Sequence, residues 1–284
     1  MQTTRFNELL SEPRPLVMGV LNVTPDSFSD GGLFLAAEVA ARRAQEMLAE
    51  GADIIDIGGQ STRPRGSAYG SGAPPVTLDE ELRRVLPVVD YILSDFPDTI
   101  ISIDTVKAEV ARRALDTGAT IINDVSGATE DGAMLSVAAS LDAPIILMHG
   151  YGPEFQKSTI EEYRYNDVVG QVGAWLERRV EQAHIAGVRT ILADVGIGFA
   201  KTHEDNLALI RHHAEFDCLG VPMVLGVSRK STIGRILGGI PPQERVSGSV
   251  AAALYGVAHG AKIIRTHDVR QTREALQVWE AISE

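Results

Sequence analysis

The chain has 284 residues, 44% of them hydrophobic, with 26 basic against 38 acidic side chains and a formal net charge of −12. That length buries a large core, as one barrel-sized domain or as two ordinary ones. The acidic balance repels nucleic acid and anionic membranes at long range, so neither is an expected partner and an anionic substrate must be held by local cations.

The opening stretch, MQTTRFNELLSEPRP, lacks a continuous apolar core, and residues 1–14 read as an N-terminal extension. No apolar run approaches the roughly 20 residues of a membrane helix. A lone cysteine, Cys218, permits no internal disulfide and is expected to be a small buried hydrophobe. A soluble cytoplasmic protein is the expectation.

From Leu16 onward, short apolar β-rich runs alternate with longer helical patterns. The runs are LVMGVLNV, DIIDIGG, TIISID, TIINDV, APIILMH, TILADVG, PMVLGVS and KIIRTH. Between them lie AAEVAARRAQEMLAE, LDEELRRVLPVVDYIL, KAEVARRALDT, QVGAWLERRVEQAHIA and SGSVAAALYGVAH, whose apolar residues recur at helical spacing. Pro87 is expected to bend the second of these helices, because it removes a backbone donor and crowds the preceding turn. Gly51, Gly118, Gly187 and Gly260, separated by 67, 69 and 73 residues, stand where a helix must end in a left-handed turn before the next strand.

Eight strand–helix units fit a closed (β/α)₈ TIM barrel in a single domain, residues 1–284, since such barrels typically take about 250 residues. An open doubly wound sheet is the structural alternative, but it would usually carry a glycine-rich nucleotide loop after its first strand. No such loop occurs, and neither DVGIGFAKT nor GVSRKST has the glycine and lysine spacing of a phosphate loop.

In a barrel of this kind the loops at the carboxyl ends of the strands build the active site. Polar residues gather there: Asn22; the run GGQSTRPRG; Asp104; Asn123 and Asp124; Met148 and His149; Asp194; Ser228, Arg229 and Lys230; and Arg265 to Asp268. Each alone has a duller reading. Asp104 or Thr105 could cap a helix, Asn123 could satisfy a turn, Lys230 and Arg265 could form structural ion pairs, and His149 and His267 could be ordinary hydrogen-bonded histidines. Their convergence favours a site. Asp104, Asn123, Asp194 and Lys230 suit a flat heterocycle with amino, ring N–H and oxo groups along one edge. Asn22, Arg63, Arg265 and His267, with the hydroxyls of Ser61 and Thr62, suit phosphate oxygens.

The segments MGVLNVTPDSFSDGG, IDIGGQSTRP, SIDT, INDVSG, LMH, GVSRKSTIG and RTHDV span Met18 to Val269. In this order they resemble the dihydropteroate synthase family. The resemblance implies condensation of 7,8-dihydropterin-6-ylmethyl diphosphate with para-aminobenzoate, giving 7,8-dihydropteroate and diphosphate in folate biosynthesis. It also implies Mg²⁺ with the diphosphate and Asn22 as its protein contact, sulfonamide inhibitors, and a homodimer formed through outer helices.

Carried over by motif, Asp104, Asn123, Asp194 and Lys230 hold the pterin and Met148 packs on its ring. Asn22, Thr62, Arg63, Arg265 and His267 serve the diphosphate. Phe28, Asp30, Pro64, Phe199, Ser228 and Lys230 complete the aminobenzoate side, and the resemblance puts Lys230, Asp30, Arg63, Arg265 and His267 in catalytic roles. Gln60, Val195, Ile197 and Ala200 depart from the family's commonest residues, and RGSAYGSGAPP lengthens the second loop. A corrinoid-linked pterin methyltransferase and a non-catalytic pterin-binding paralogue are the competing readings.

Overall fold

The computed structural model describes residues 2–23, 32–60, 76–150, 152–155 and 163–283, with 32–36 as backbone alone. Each of the eight apolar runs forms a strand: β1 (Leu16–Asn22), β2 (Ile54–Gly58), β3 (Ile100–Asp104), β4 (Ile121–Asp124), β5 (Ile145–Met148), β6 (Ile191–Asp194), β7 (Met223–Leu225) and β8 (Ala261–Thr266). They pair in parallel in sequence order, and β1 pairs with β8 to close the barrel. The expected (β/α)₈ architecture is the one observed, because parallel strands with both faces covered need helical crossovers.

Ten described helices surround or flank the sheet: α1 (Gln2–Ser11), α2 (Gly32–Ala49), α3 (Leu78–Asp95), α4 (Ala108–Thr117), α5 (Met134–Ser140), α6 (Val168–Ile185), α7 (His203–Arg211), α8 (Ser231–Ile236), α9 (Val246–Ala258) and α10 (Val269–Ser283). The five periodic segments of the sequence correspond to α2, α3, α4, α6 and α9. The α3 helix continues through Pro87 to Asp95. Gly51, Gly118, Gly187 and Gly260 all have positive φ, between 92° and 118°, as their places before β2, β4, β6 and β8 require.

The strand period of two divides side chains between two cores. Val17, Ile55, Ile57, Ile101 and Ile103 face outward into a cluster with α2, α3 and α4. Leu16, Met18, Ile54, Ile100, Ile121, Ile146, Leu192, Val224 and Ile263 face inward and fill the lower barrel. A fully buried large aliphatic side chain contributes roughly 1.5–3 kcal/mol by leaving water, so this layer alone is a major source of stability.

The N-terminal extension completes that layer. Phe6 of α1 is fully buried among the inward-facing strand residues, with Leu9 and Leu10 packed against them. Its exit is fastened by Arg14, whose guanidinium donates to both oxygens of Asp53 at 2.9 and 3.2 Å. Residues 1–14 therefore include the floor of the barrel.

Cys218 departs from expectation. It is exposed on a 3-10 turn spanning His213–Leu219, where Phe216 and His213 take the buried positions. An apolar residue type did not dictate burial because the turn has room for only part of its sequence on the inner side.

The loop after β6 ends in a capping box. The Thr202 hydroxyl accepts from Asp205 N at 3.2 Å, and the Asp205 carboxylate accepts from Thr202 N at 2.8 Å. Thr202→Ala is expected to lower unfolding free energy by about 1 kcal/mol, read from the denaturant midpoint, since it removes one of these bonds. An unchanged midpoint would mean that the box contributes nothing net.

Candidate active site

The barrel changes character within two residues on several strands. Continuing on the inward face, Ile54 is followed by Asp56, Ile100 by Ser102 and then Asp104, Ile121 by Asn123, Leu192 by Asp194, and Ile263 by Arg265. The apolar floor thus supports a layer of buried polar groups at the carboxyl ends of the strands.

Arg265 organises this layer. Its Nε donates to Asp56 Oδ2 at 2.7 Å and its Nη2 to Asp104 Oδ2 at 2.8 Å. Asn123 Nδ2 donates to the same Asp56 oxygen at 3.1 Å. Burial opposes the Arg265 charge, yet Asp56, Asp104 and Asp194 hold its pKa above the usual arginine range. Burial pushes the Asp104 carboxyl up to about 7 against the pull of Arg265, with Asp56, Glu81 and Asp124 adding to the rise. Asp104 Oδ1 and Asp56 Oδ1 are buried without a hydrogen-bond partner among the described residues.

The ion-pair reading of Arg265 is correct as far as it goes: it bridges Asp56 and Asp104, and Asp104 is itself a candidate site residue. Asp104 is no helix cap. The local turn is made by Thr105, whose hydroxyl donates to buried Glu81 at 2.6 Å and accepts from Lys107 N at 3.2 Å.

The β6 side is held by an unforeseen lysine. Lys201 is 2% exposed, and its ammonium meets His149 Nδ1 at 2.9 Å and the carbonyls of Phe199, Gly196 and His149 at 2.9, 3.1 and 3.2 Å. Burial lowers its pKa to about 7. Gly196 has φ +70°, and a Cβ there would lie 1.8 Å from the His149 carbonyl oxygen, so only glycine lets the loop approach. Gly196 N in turn donates to Asp194 Oδ1 at 2.7 Å. Burial raises the Asp194 pKa, while this bond and then Lys230 and Arg265 oppose the rise. His149 is thus a structural histidine, held neutral by burial and by Lys201.

Lys230 lies with its Nζ 4.6 Å from the centre of the Phe199 ring, which brings the β6 and β7 loops together. Burial, reinforced by Arg265, lowers its pKa to about 8 against the opposing pull of Asp194 and Asp104. The intervening Arg229 is structural: it has φ +56° and its guanidinium pairs with Asp268. Met148 packs with Val106 and Val125 and against Phe199, an apolar wall beside the carboxylates.

Just after β8, His267 Nδ1 lies 3.0 Å from Ser228 Oγ, which also accepts from His267 N at 3.1 Å. With two lone pairs and one proton, the hydroxyl serves either ring tautomer and fixes the plane of the imidazole. Burial, then Arg265, Arg229 and Lys230, lowers the His267 pKa to about 4, so the ring is neutral at pH 7. Asn22 ends β1 and is exposed at the mouth.

The described chain brings together Asp104, Asn123, Asp194, Lys230 and Arg265, with Met148, Phe199, Ser228, His267 and Asn22 at the same strand ends. Phe28, Asp30, Thr62, Arg63 and Pro64 lie outside the described residues. The second loop leaves β2 from a pinned base: Arg84 Nη1 donates to Gly59 O at 2.9 Å and Lys107 Nζ to Gln60 Oε1 at 2.6 Å. Asp56 and Lys201 went unassigned in the sequence, though the alternation Ile54, Asp56, Gly58 already points Asp56 inward.

A flat ligand edge rich in N–H groups would meet carboxylate and amide acceptors here, and an anion attached to it would meet Arg265, Lys230 and the imidazole of His267. Comparison with known proteins agrees with that chemistry. Residues 18–267 match the family model described as pterin binding enzyme. A dihydropteroate synthase from Synechocystis sp. is 46% identical over 272 residues, covering 95% of this chain and 90% of the relative. The Xanthomonas albilineans dihydropteroate synthase solved with 4-aminobenzoic acid is 42% identical with a TM-score of 0.86, covering 95% of this chain and 94% of that one. The same organism's enzyme in complex with 7,8-dihydropteroate is 40% identical with a TM-score of 0.82, at 95% and 94% coverage.

Proposed function

We infer the roles of the site residues from one premise: this chain belongs to the pterin-binding enzyme family, among the dihydropteroate synthases. The activity is the condensation of 7,8-dihydropterin-6-ylmethyl diphosphate with para-aminobenzoate to give 7,8-dihydropteroate and diphosphate. The observation that carries the residue roles is the convergence of Asp104, Asn123, Asp194 and Lys230 around Arg265 above an apolar floor.

The pterin edge meets Asp104, Asn123 and Asp194, and its face lies against Met148. The diphosphate meets Arg265 and the imidazole of His267. The bond from the methylene carbon to the diphosphate oxygen breaks with its electron pair leaving on oxygen, and Arg265, His267 and Lys230 oppose the charge that develops there. The positive charge left on the pterin methylene is offset by the buried carboxylates. The aminobenzoate nitrogen, on the side of Phe199, Ser228 and Lys230, attacks that carbon and gives up a proton to the released diphosphate. Asp30, Arg63, Thr62, Phe28 and Pro64 keep the roles that the resemblance assigns.

Mg²⁺ fits this donor set in one way. Among the described residues no cluster of three histidine, cysteine, aspartate or glutamate side chains is shaped to hold a metal. A hard cation held mainly by substrate phosphate oxygens and water, with the exposed amide oxygen of Asn22 as its protein ligand, needs no such cluster. When bound it neutralises charge on the leaving group.

Competition by sulfonamides with para-aminobenzoate, a cytoplasmic location and a homodimer belong to the same reading. The dimer draws support from Ile236, Leu237, Tyr255, Val278 and Ile282, large hydrophobics exposed on or beside α8, α9 and α10. Sedimentation at micromolar concentration giving only the 30.5 kDa species would remove it.

Diphosphate release that depends on para-aminobenzoate, with dihydropteroate formed in equal amount, tests the reaction. Release without an arylamine would overturn it. Within this scheme Asp194→Asn is expected to weaken binding of a pterin lacking diphosphate by about 10- to 100-fold, the value of a charge-assisted hydrogen bond, and to leave inorganic diphosphate binding nearly unchanged. Titration calorimetry with the two ligands checks the split, and equal losses would show the two halves of the site to be wrongly divided.

A further inference from the structure

We propose that Asp56 is a positioning residue that fixes the Asn123 amide with its oxygen and tempers the Arg265 guanidinium with its charge, tying the pterin side of the site to the diphosphate side. The proposal rests on the synthase reading for the identity of the two ligands, and it concerns a residue that never has to touch either of them.

Asp56 is fully buried in the middle of β2, one inward step below Gly58. Its Oδ2 accepts from two side chains carried by strands on opposite sides of the barrel, Asn123 of β4 and Arg265 of β8. An amide has two distinct ends. With Nδ2 committed to Asp56, Asn123 has its carbonyl oxygen and one remaining N–H for a ligand, and the opposite flip would set its oxygen against a carboxylate. Arg265 is fixed in the same way, with Nε on Asp56 and Nη2 on Asp104, so its guanidinium plane is set and its remaining N–H groups are free to meet an anion.

The charge has a separate effect. Asp56 and Asp104 together neutralise Arg265 before any ligand arrives, so diphosphate competes with two carboxylates for one cation. That competition lowers affinity for free diphosphate, the product that must leave.

Two substitutions separate oxygen from charge. Asp56→Asn keeps an acceptor oxygen in reach of both donors and removes the charge, whereas Asp56→Ala removes both. Calorimetric binding of a pterin lacking diphosphate should be about tenfold weaker in Asp56→Ala and restored to within about twofold in Asp56→Asn. Inorganic diphosphate should bind severalfold tighter in both variants, with folding checked by near-ultraviolet circular dichroism. A merely structural role would weaken both ligands together.

Loss of both affinities in the folded variants, or failure of asparagine to restore pterin binding, overturns the proposal. If Asp56→Ala does not fold, Asp56→Asn alone still decides: pterin affinity must hold while diphosphate affinity rises. Because the readout is binding, a wild-type protein that binds both ligands without turnover would refute the synthase reading and leave Asp56 to be judged on the same titrations.

Discussion

Lys230→Ala is expected to lower kcat/KM for the pterin diphosphate by about 10²–10³-fold, the usual cost of removing one preorganised donor that opposes developing charge. The fold should survive, because Lys230 precedes α8 without supplying a side-chain cap, and its ammonium lies over Phe199 where it packs little. A pH profile gives a second readout. The pKa of about 8 reflects burial first and Arg265 next, so raising the pH through 8 discharges the ammonium in the free enzyme and kcat/KM should fall there. Bound diphosphate adds negative charge nearby and retains the proton, so the corresponding fall in kcat should come at higher pH. The alanine variant should lose the kcat/KM limb near 8. A folded variant with near-normal turnover, or one that keeps that limb, would take Lys230 out of the mechanism.

Arg265→Ala should nearly abolish turnover and should also destabilise the protein by about 3–5 kcal/mol, because it strands two buried carboxylates. Asp56 is fully buried and Asp104 6% exposed, so water cannot readily replace the guanidinium. The loss should depend on pH with a definite sign. The Asp104 carboxyl already titrates near 7 in the folded chain against an ordinary 3.8, and removing Arg265 raises it further. A folded-state pKa above the unfolded one means that the folded protein binds more protons in between, so stability falls as pH rises across that window. The variant should therefore lose more stability relative to the parent at pH 8 than at pH 5. Urea midpoints at the two values test this, and equal losses would mean that other groups compensate the pair.

The strands were legible because each is a compact β-branched or leucine-rich run ended by glycine or a polar residue, and the parallel arrangement followed from the helical segments between them. The floor was not. In α1 a single phenylalanine, Phe6, is fully buried, too sparse a pattern to mark a helix by periodicity, and its partners Leu16 and Ile263 lie in strands far apart in sequence. The polar layer was legible where it coincides with strand ends, as at Asp104, Asn123 and Asp194. Asp56 sits in mid-strand, where the eye expects packing, and Lys201 sits in a loop, where a lysine is usually solvated. Only the tertiary approach of the β5 and β6 loops gives Lys201 its acceptors. His149 shows the converse: it stands at a strand end among candidate site residues, yet reads as an ordinary hydrogen-bonded histidine, and its contacts are those of a fastening.

The stoppered floor leaves the barrel to be entered from the other end. With α1 and the layer around Phe6 closing the far end, Asn123 and Asp194 are approached from the carboxyl ends of the strands, where Phe199, Ser228 and Lys230 also lie. On the proposed reading the ring sits innermost and is expected to arrive before the amine, an order that initial-rate patterns with the two substrates would check.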